Sequence, residues 1–109
     1  MKRGEIWTVA GGNDYAGKPR PAVVVQDDRF DTGDSITICP LTTDQASGPF
    51  VRLDVAPSAA NGLRIASRLM VDRLATLPKT RLGRRIGRLD DGTMLRLNRA
   101  ITVFLGIAG

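Results

Sequence analysis

The sequence of 109 residues contains no histidine and one cysteine, and both shortages exclude chemistry. Without imidazole there is no side chain that ordinarily titrates near neutral pH, and histidine metal ligands are excluded. A single thiol, Cys39, allows neither an internal disulfide nor a cysteine cluster for zinc. Because a cysteine nucleophile usually needs a histidine partner, and Cys39 lies within the apolar run 35–41, we expect a buried free thiol.

Long apolar runs and aromatic residues are also scarce. No apolar run approaches the roughly 18 residues that a transmembrane helix needs. Residues 1–5 carry charge and are not followed by the apolar region of a signal peptide, so we expect a cytoplasmic protein without membrane contact. Aromatic residues make up 5% of the chain, which is poor material for a platform that stacks nucleic-acid bases. This disfavours a non-catalytic RNA-binding barrel.

Positive charge is in excess. Sixteen Lys and Arg residues against eleven Asp and Glu residues give a formal net charge of +5. Such a balance favours a polyanionic partner, nucleic acid first, although an inert basic surface is the alternative. The hydrophobic share of 42% and the charged share of 25% are typical of a globular protein, and the length suits one domain over residues 1–109.

Hydrophobic patterning predicts short strands followed by one helix. The predicted strands cover residues 5–9, 22–26, 35–41, 50–55 and 64–71, the last anchored by Ile65, Leu69 and Val71, and a short strand is considered at 86–89. Beyond them, apolar residues recur at helical spacing: Met94, Leu97, Ile101, Phe104 and Leu105. Asp90 or Asp91 can cap this helix and Gly106 can end it. We therefore predict a mainly β protein with a C-terminal helix, arranged as a small antiparallel barrel or strongly coiled sheet.

Two segments present groups that suit a phosphate. Arg20 stands between Pro19 and Pro21, which restrict the backbone on both sides of it, so its guanidinium is held at the entrance of a strand. A planar guanidinium suits bidentate phosphate binding, and a solvated arginine on a stiff turn is the alternative. Thr42 and Thr43 follow the strand 35–41, where their hydroxyls can donate to a phosphate or cap the turn locally.

Two further segments are rich in charge. If residues 68–72 form a strand, Arg68 and Asp72 share one face, so Asp72 can take a proton from a ribose 2′-hydroxyl or form a salt bridge with Arg68. The basic run 79–88 holds five cations and can track a phosphate backbone or simply form a solvated surface. Acidic residues are too scattered for a two-metal nuclease centre, and no glycine-rich nucleotide loop is present.

Taken in order, these segments resemble the MazF/PemK family of toxin endoribonucleases. The resemblance covers nearly the whole chain. It is carried by residues 4–9 (GEIWTV), 20–25 (RPAVVV), 40–43 (PLTT), 72–77 (DRLATL), and 82–89 with the helix ending at 104–106. Two positions depart from the family pattern, since Arg73 replaces the usual glutamine and Ala75 the usual arginine.

The resemblance implies an SH3-like, plasmid-toxin type of small β-barrel that forms a homodimer. It further implies sequence-specific cleavage of single-stranded RNA, without metal or cofactor, to 2′,3′-cyclic phosphate and 5′-hydroxyl ends. Arg20 and Thr42 match the family's catalytic positions, and Asp72 matches an acidic position near the ribose. RNA contacts are expected at Lys18, Thr43, Arg68, Arg84 and Arg85. An acidic antitoxin of the MazE/PemI type is the expected protein partner.

A gyrase-binding toxin of the CcdB type is the main alternative, because that family shares the fold without cutting RNA. A resemblance to it would call for Trp-Gly-Ile at the C-terminus. This chain has Gly106 and Ile107 but no tryptophan before them. The presence of Arg20 and Thr42 also favours the nuclease.

Overall fold

The computed structural model describes residues 1–11, 18–45 and 51–107, which contain seven strands and one α-helix. Residues 12–17, 46–50 and 108–109, which include the first residue of the predicted strand 50–55, lie outside the described residues. The strands are β1 Glu5–Val9, β2 Arg20–Val24, β3 Ser35–Thr42, β4 Arg52–Val55, β5 Ser67–Met70, β6 Ala75–Pro78 and β7 Leu82–Arg88, and the helix is α1 Asp91–Phe104. One-turn 3-10 helices cover Asp28–Phe30, Val71–Arg73 and Lys79–Arg81.

All strand pairs are antiparallel, and β3 is the strand on which the sheet is built. The order is β4-β5-β3-β2-β1-β7, and β6 also pairs with β3. The first half of β3 pairs with β6 over Ser35–Ile38, whereas its last two residues, Leu41 and Thr42, pair with β5. The sheet must coil to let one strand change neighbours along its length. The mainly β prediction with a C-terminal helix is confirmed.

Two apolar clusters cover opposite faces of the sheet. The larger contains Ile6, Val23, Cys39, Leu41, Leu69 and Leu97 of α1, among others. The smaller contains Val9, Ala22, Val24, Ile36, Ile38 and Leu77. Because both faces are covered, β2 buries three consecutive residues, Ala22, Val23 and Val24, rather than alternate ones.

Cys39 is fully buried in the larger cluster, and its thiol is free. Burial disfavours the thiolate and raises the pKa of Cys39 to about 12. The predicted buried free thiol is confirmed.

The helix begins and ends where the sequence predicted. The Asp90 carboxylate accepts a hydrogen bond of 2.7 Å from the Thr93 N–H, and Gly106 follows the helix with a φ of 74°. Leu97 is fully buried, but Phe104 and Leu105 are 44% and 54% exposed. The predicted core stripe is therefore wrong at its C-terminal end, because packing against the core ends at Ile101.

Strand prediction fails where backbone pairing rather than apolar patterning forms the strand. β7 begins at Leu82, four residues before the strand considered at 86–89, and takes up most of the basic run. β6 was not predicted. Ile65 is not a strand anchor, since β5 begins only at Ser67 and the Ile65 side chain is 62% exposed.

Two glycines let the loop 56–62 lie directly on β7. Gly62 has a φ of +70°, and a Cβ there would lie 2.1 Å from the carbonyl oxygen of Ile86. A Cβ on Gly87 would lie 2.4 Å from the carbonyl oxygen of Ala60. No side chain fits between these backbones.

We expect Gly62→Ala to lower the free energy of unfolding by more than about 2 kcal/mol, because left-handed backbone costs about 1 kcal/mol for a residue with a Cβ and the clash adds to it. Urea unfolding followed by circular dichroism measures the change. Gly33→Ala is the control, since a Cβ there meets nothing within 4 Å and it should shift stability by less than about 0.5 kcal/mol. Equal midpoints for the two variants would contradict this packing.

Candidate active site

Strand register brings Arg20 and Thr42 together. β2 and β3 pair Ala22 with Pro40, and the same register continued by two residues places Arg20 opposite Thr42. Thr42 in turn pairs with Arg68 of β5. Directly opposed residues of antiparallel strands face the same side. Arg20, Thr42 and Arg68 therefore form a row across three neighbouring strands.

Two members of this row, Arg20 and Thr42, border a cavity of about 450 Å³, which we call the catalytic cavity. Its wall is rich in guanidinium groups and is formed by Arg20, Leu41, Thr42, Asp44, Arg52, Met70 and Arg73. Guanidinium groups and a hydroxyl on one wall form a donor set that suits a phosphate diester. The structure thus brings together the two residues, Arg20 and Thr42, that match the family's catalytic positions.

The Thr42 hydroxyl is both a local cap and an available donor. Its oxygen accepts a hydrogen bond of 3.1 Å from the Asp44 N–H, as the local alternative predicted. A hydroxyl that accepts in this way keeps its own hydrogen for another partner. The cap therefore orients Thr42 without consuming the hydrogen that a phosphate oxygen would accept.

The ion pairs differ from the one considered in the sequence. Arg52 donates to both carboxylate oxygens of Asp72, at 2.8 and 3.3 Å, and both side chains are only 12% exposed. Arg68 pairs with Asp54 at 3.2 Å, in place of the predicted Arg68–Asp72 bridge. The reason is local: β5 ends at Met70, and Asp72 lies on a 3-10 turn, so strand alternation no longer places it beside Arg68.

The ion pair with Arg52 makes Asp72 a weaker base. The Arg52 guanidinium holds the pKa of Asp72 below its ordinary value, and the same bond raises the pKa of Arg52. A carboxylate with a lowered pKa is a weak base, and Asp72 does not line the catalytic cavity. The geometry favours Asp72 as the residue that positions Arg52.

A second cavity, which we call the flanking cleft, adjoins the first and has a volume of about 590 Å³. It is lined by Lys18, Pro19, Arg20, Pro21, Thr43, Leu63, Arg64, Ile65 and Ser67. Arg20 borders both cavities, and the consecutive residues Thr42 and Thr43 border one each. Two residues expected to contact RNA, Lys18 and Thr43, therefore lie beside the candidate catalytic pair.

Two further residues that were expected to contact RNA, Arg84 and Arg85, lie elsewhere. They belong to β7, which is separated from β2 by β1 in the sheet. The Arg85 side chain pairs with Glu5 at 3.1 Å. Neither residue borders the catalytic cavity or the flanking cleft, because the basic run folds into a strand on the far side of β1.

Sequence reasoning missed three residues of the catalytic cavity: Asp44, Arg52 and Arg73. Arg52 carried a usable signal, because it occupies a polar position of the alternating strand 50–55 and so shares a face with Asp54. Arg73 was noted only as a departure from the family pattern. Asp44 follows the threonine pair, and its place on the wall depends on the turn that Thr42 caps.

The described residues contain neither a cluster of metal-ligating side chains nor a membrane-spanning helix. Within 1–11, 18–45 and 51–107, no three carboxylate or thiol side chains lie close enough to hold a metal ion. In the same ranges no helix is long and apolar enough to cross a bilayer.

The fold and cavity define a small, coiled β-sheet protein with a cavity rich in guanidinium groups at the end of its central strands. A sequence profile of the PemK-like, MazF-like toxins of type II toxin-antitoxin systems matches residues 2–105, so the chain belongs to this family. It is 47% identical to the probable endoribonuclease MazF of Mycolicibacterium smegmatis over 109 residues, which cover both chains completely. It is 31% identical to the endoribonuclease MazF9 of Mycobacterium tuberculosis over 118 aligned positions, which cover 98% of each chain.

Solved structures confirm the fold. A mycobacterial endoribonuclease in complex with its cognate antitoxin superposes with a TM-score of 0.79 at 23% identity, covering 100% of this chain and 98% of the other. At that identity the likeness speaks for the fold alone. The small toxin-type barrel expected from the resemblance is the architecture observed.

We expect Asp72→Asn to lower the free energy of unfolding at pH 7 by about 1–2 kcal/mol, since Arg52 loses its charged partner. The folded-state pKa of Asp72 is lowered, so its contribution is complete above the ordinary aspartate pKa and disappears as the pH falls through the lowered value. The difference in the free energy of unfolding between wild type and Asp72→Asn should therefore begin to narrow near pH 4 and disappear at lower pH.

Urea unfolding at neutral and acidic pH measures this difference. Asp34→Asn, at an exposed position, is the control and should match wild type at both pH values. A constant difference between wild type and Asp72→Asn at every pH would show that the ion pair is not its source.

Proposed function

We propose that the chain is a sequence-specific endoribonuclease toxin that cleaves single-stranded RNA, mRNA above all, without a metal ion or other cofactor. The observation that carries the proposal is the catalytic cavity, where Arg20 and Thr42 face the same space as Arg52 and Arg73. Membership in a family of type II toxins supports it. So do the two relatives named as endoribonucleases, which align along the whole chain. A cytoplasmic location, where mRNA is translated, belongs to the same proposal.

The proposed reaction is an in-line transfer within the RNA. The 2′-oxygen attacks the adjacent phosphorus as the bond to the 5′-oxygen breaks, and the departing 5′-oxygen takes up a proton from water. The products carry a 2′,3′-cyclic phosphate and a 5′-hydroxyl. Arg20 neutralises the charge that develops on the phosphate, and the Thr42 hydroxyl donates to a non-bridging oxygen. DNA lacks the attacking hydroxyl and is not cut.

The proton of the 2′-hydroxyl needs an acceptor. Of the two carboxylates near the site, Asp44 lines the catalytic cavity, whereas Asp72 is bound to Arg52 and does not. We therefore assign proton acceptance to Asp44 and the positioning of Arg52 to Asp72.

We also propose a homodimer whose interface includes the C-terminal end of α1. Val103, Phe104, Leu105 and Ile107 are large apolar residues that stay between 44% and 73% exposed in the single chain. Apolar residues grouped in this way typically mark a protein interface. Light scattering after size exclusion should give twice the mass of the chain for wild type and a smaller mass for Phe104→Ser, and a wild-type monomer at micromolar concentration would refute the dimer.

The expected protein partner is an acidic antitoxin of the MazE/PemI type that covers the basic site. The net charge of +5 and the cations of the catalytic cavity favour an acidic segment. Co-expression with the neighbouring gene should yield a stable complex in which RNA cleavage is blocked. Failure to cut any RNA, together with capture of gyrase, would instead support the topoisomerase-binding alternative.

We expect the purified protein to cut a long single-stranded RNA at discrete sites in excess EDTA, leaving 5′-hydroxyl ends. Arg20→Ala should lower the rate at least about 100-fold, because it removes the main electrostatic stabiliser of the transition state. Arg29→Ala is the matched control, an exposed arginine paired with Asp27 and outside the catalytic cavity. Primer extension locates the cuts, and cutting by Arg20→Ala at the control's rate would contradict the site.

The same assay separates the two carboxylates. Asp44→Asn should lower kcat about 10- to 100-fold while leaving the unfolding midpoint unchanged, as loss of a general base does. A kcat for Asp44→Asn within about twofold of wild type would remove Asp44 from the mechanism.

A further inference from the structure

We infer that the flanking cleft holds the nucleotide next to the cut phosphate, with Arg64 contacting the RNA backbone and Ile65 lying against a base. The inference rests on the proposed ribonuclease function and assigns RNA contacts to two residues for which the sequence predicted none. It also predicts that the residues selecting bases on one side of the cut belong to the loop before β5.

Continuity with the catalytic cavity carries the first step. Arg20 lines both spaces, so a phosphate bound at Arg20 lies at their common border. Thr42 lines the catalytic cavity and Thr43 the cleft, so the backbone at the end of β3 passes from one to the other. An RNA strand that leaves the catalytic cavity past Arg20 enters the cleft directly.

The cleft combines cations with apolar surface. Lys18 and Arg64 are exposed, and neither has a carboxylate partner among the described residues, unlike Arg52, Arg68 and Arg85 with their ion pairs. Ile65 contributes a side chain that is 62% exposed, next to Pro19 and Pro21. An exposed isoleucine is unremarkable alone, but in a cleft with two cations beside the candidate phosphate site it offers apolar surface against which a base can pack.

The loop that carries Arg64 and Ile65 is held rigidly. Asn61 is 5% exposed, and its side-chain oxygen accepts hydrogen bonds of 2.9 Å from both Ser58 N–H and Leu63 N–H. Its side-chain amide donates to the Ala56 carbonyl at 2.9 Å.

Ser67 and Leu63 fix the other end of the loop. The Ser67 hydroxyl donates to the Ile65 carbonyl at 2.9 Å, and Leu63 packs into the larger apolar cluster. Arg64 and Ile65 are thus exposed side chains on an ordered backbone. Binding there costs little loop entropy, as a recognition surface requires.

The backbone contact is tested by RNA binding. The probe is a short RNA with one cut site whose attacking 2′-hydroxyl is methylated, so that it binds without reacting. Arg64→Gln should weaken binding about tenfold at moderate salt and reduce the slope of log Kd against log salt by about 0.7, the value for one phosphate contact on a single strand. On the unmodified RNA, KM should rise about tenfold while kcat stays within about twofold.

Arg29→Gln is the matched control for Arg64→Gln, since Arg29 is an exposed arginine remote from both cavities. Both variants should unfold at the wild-type temperature. Arg64→Gln behaving like Arg29→Gln would overturn the backbone contact.

The base contact is tested by cut-site selection. Ile65→Ala should broaden the base preference at positions on one side of the cut, read by sequencing the ends from a randomised RNA pool, and leave the salt slope unchanged. Leu95→Ala is the matched control, because Leu95 is a similarly exposed apolar residue on α1. An unchanged preference, or equal changes on both sides of the cut, would overturn the assignment of Ile65.

The two levels of the proposal fail differently. A wild-type protein that neither binds nor cuts RNA refutes the ribonuclease function, and this inference with it. A wild-type protein that cuts RNA, while Arg64→Gln and Ile65→Ala match their controls, refutes the flanking cleft alone.

Discussion

The pairing of β3 with its neighbours is the constraint on which the catalytic cavity depends. Because side chains alternate along a strand, a slip of one residue would turn the Thr42 side chain away from Arg20 and toward the larger apolar cluster. Cys39 and Leu41 prevent such a slip by packing with Leu69 and Leu97 in the larger apolar cluster. The packing of Cys39 and Leu41 thus determines which side of β3 the Thr42 hydroxyl faces.

Two arginines at and beside the catalytic cavity form ion pairs with carboxylates that do not line it. Three guanidinium groups on one wall repel one another, and an unpaired charge that is mostly buried would be costly. Asp72 compensates Arg52, and Asp54 compensates Arg68 at the next position across the sheet. Each carboxylate fixes the orientation of its arginine. Arg52 of the cavity wall and Arg68 of the row are consequently held in place before any phosphate arrives, and such preorganisation is what electrostatic catalysis requires.

Particular residues show how far the sequence could predict this arrangement. The strand 5–9 was predicted with its observed bounds, and Arg20 was placed at a strand entrance because two prolines flank it. The partner of Asp72 was missed because the pattern of 64–71 does not reveal that β5 ends at Met70 and a 3-10 turn follows. The strand β7 was predicted too short, because a strand formed by pairing with β1 needs few apolar residues. Arg52 and Arg64 were missed for a similar reason. Long-range strand pairing positions Arg52, and the buried Asn61 holds the loop that carries Arg64, and neither kind of contact produces a local periodicity in the sequence.

Because the chain has no histidine, the charge of the site depends on guanidinium and carboxylate groups. A site built around imidazole changes charge near neutral pH, whereas guanidinium and carboxylate groups do not. The contact between Arg52 and Asp72 lowers the pKa of the carboxylate and raises that of the guanidinium, so it widens from both ends the pH range in which the pair stays ionised. The cationic wall therefore keeps its charge through the pH changes of a living cell. Control of such a site must come from occupying it, and an acidic protein segment that competes with RNA for the same guanidinium groups meets that need by charge alone.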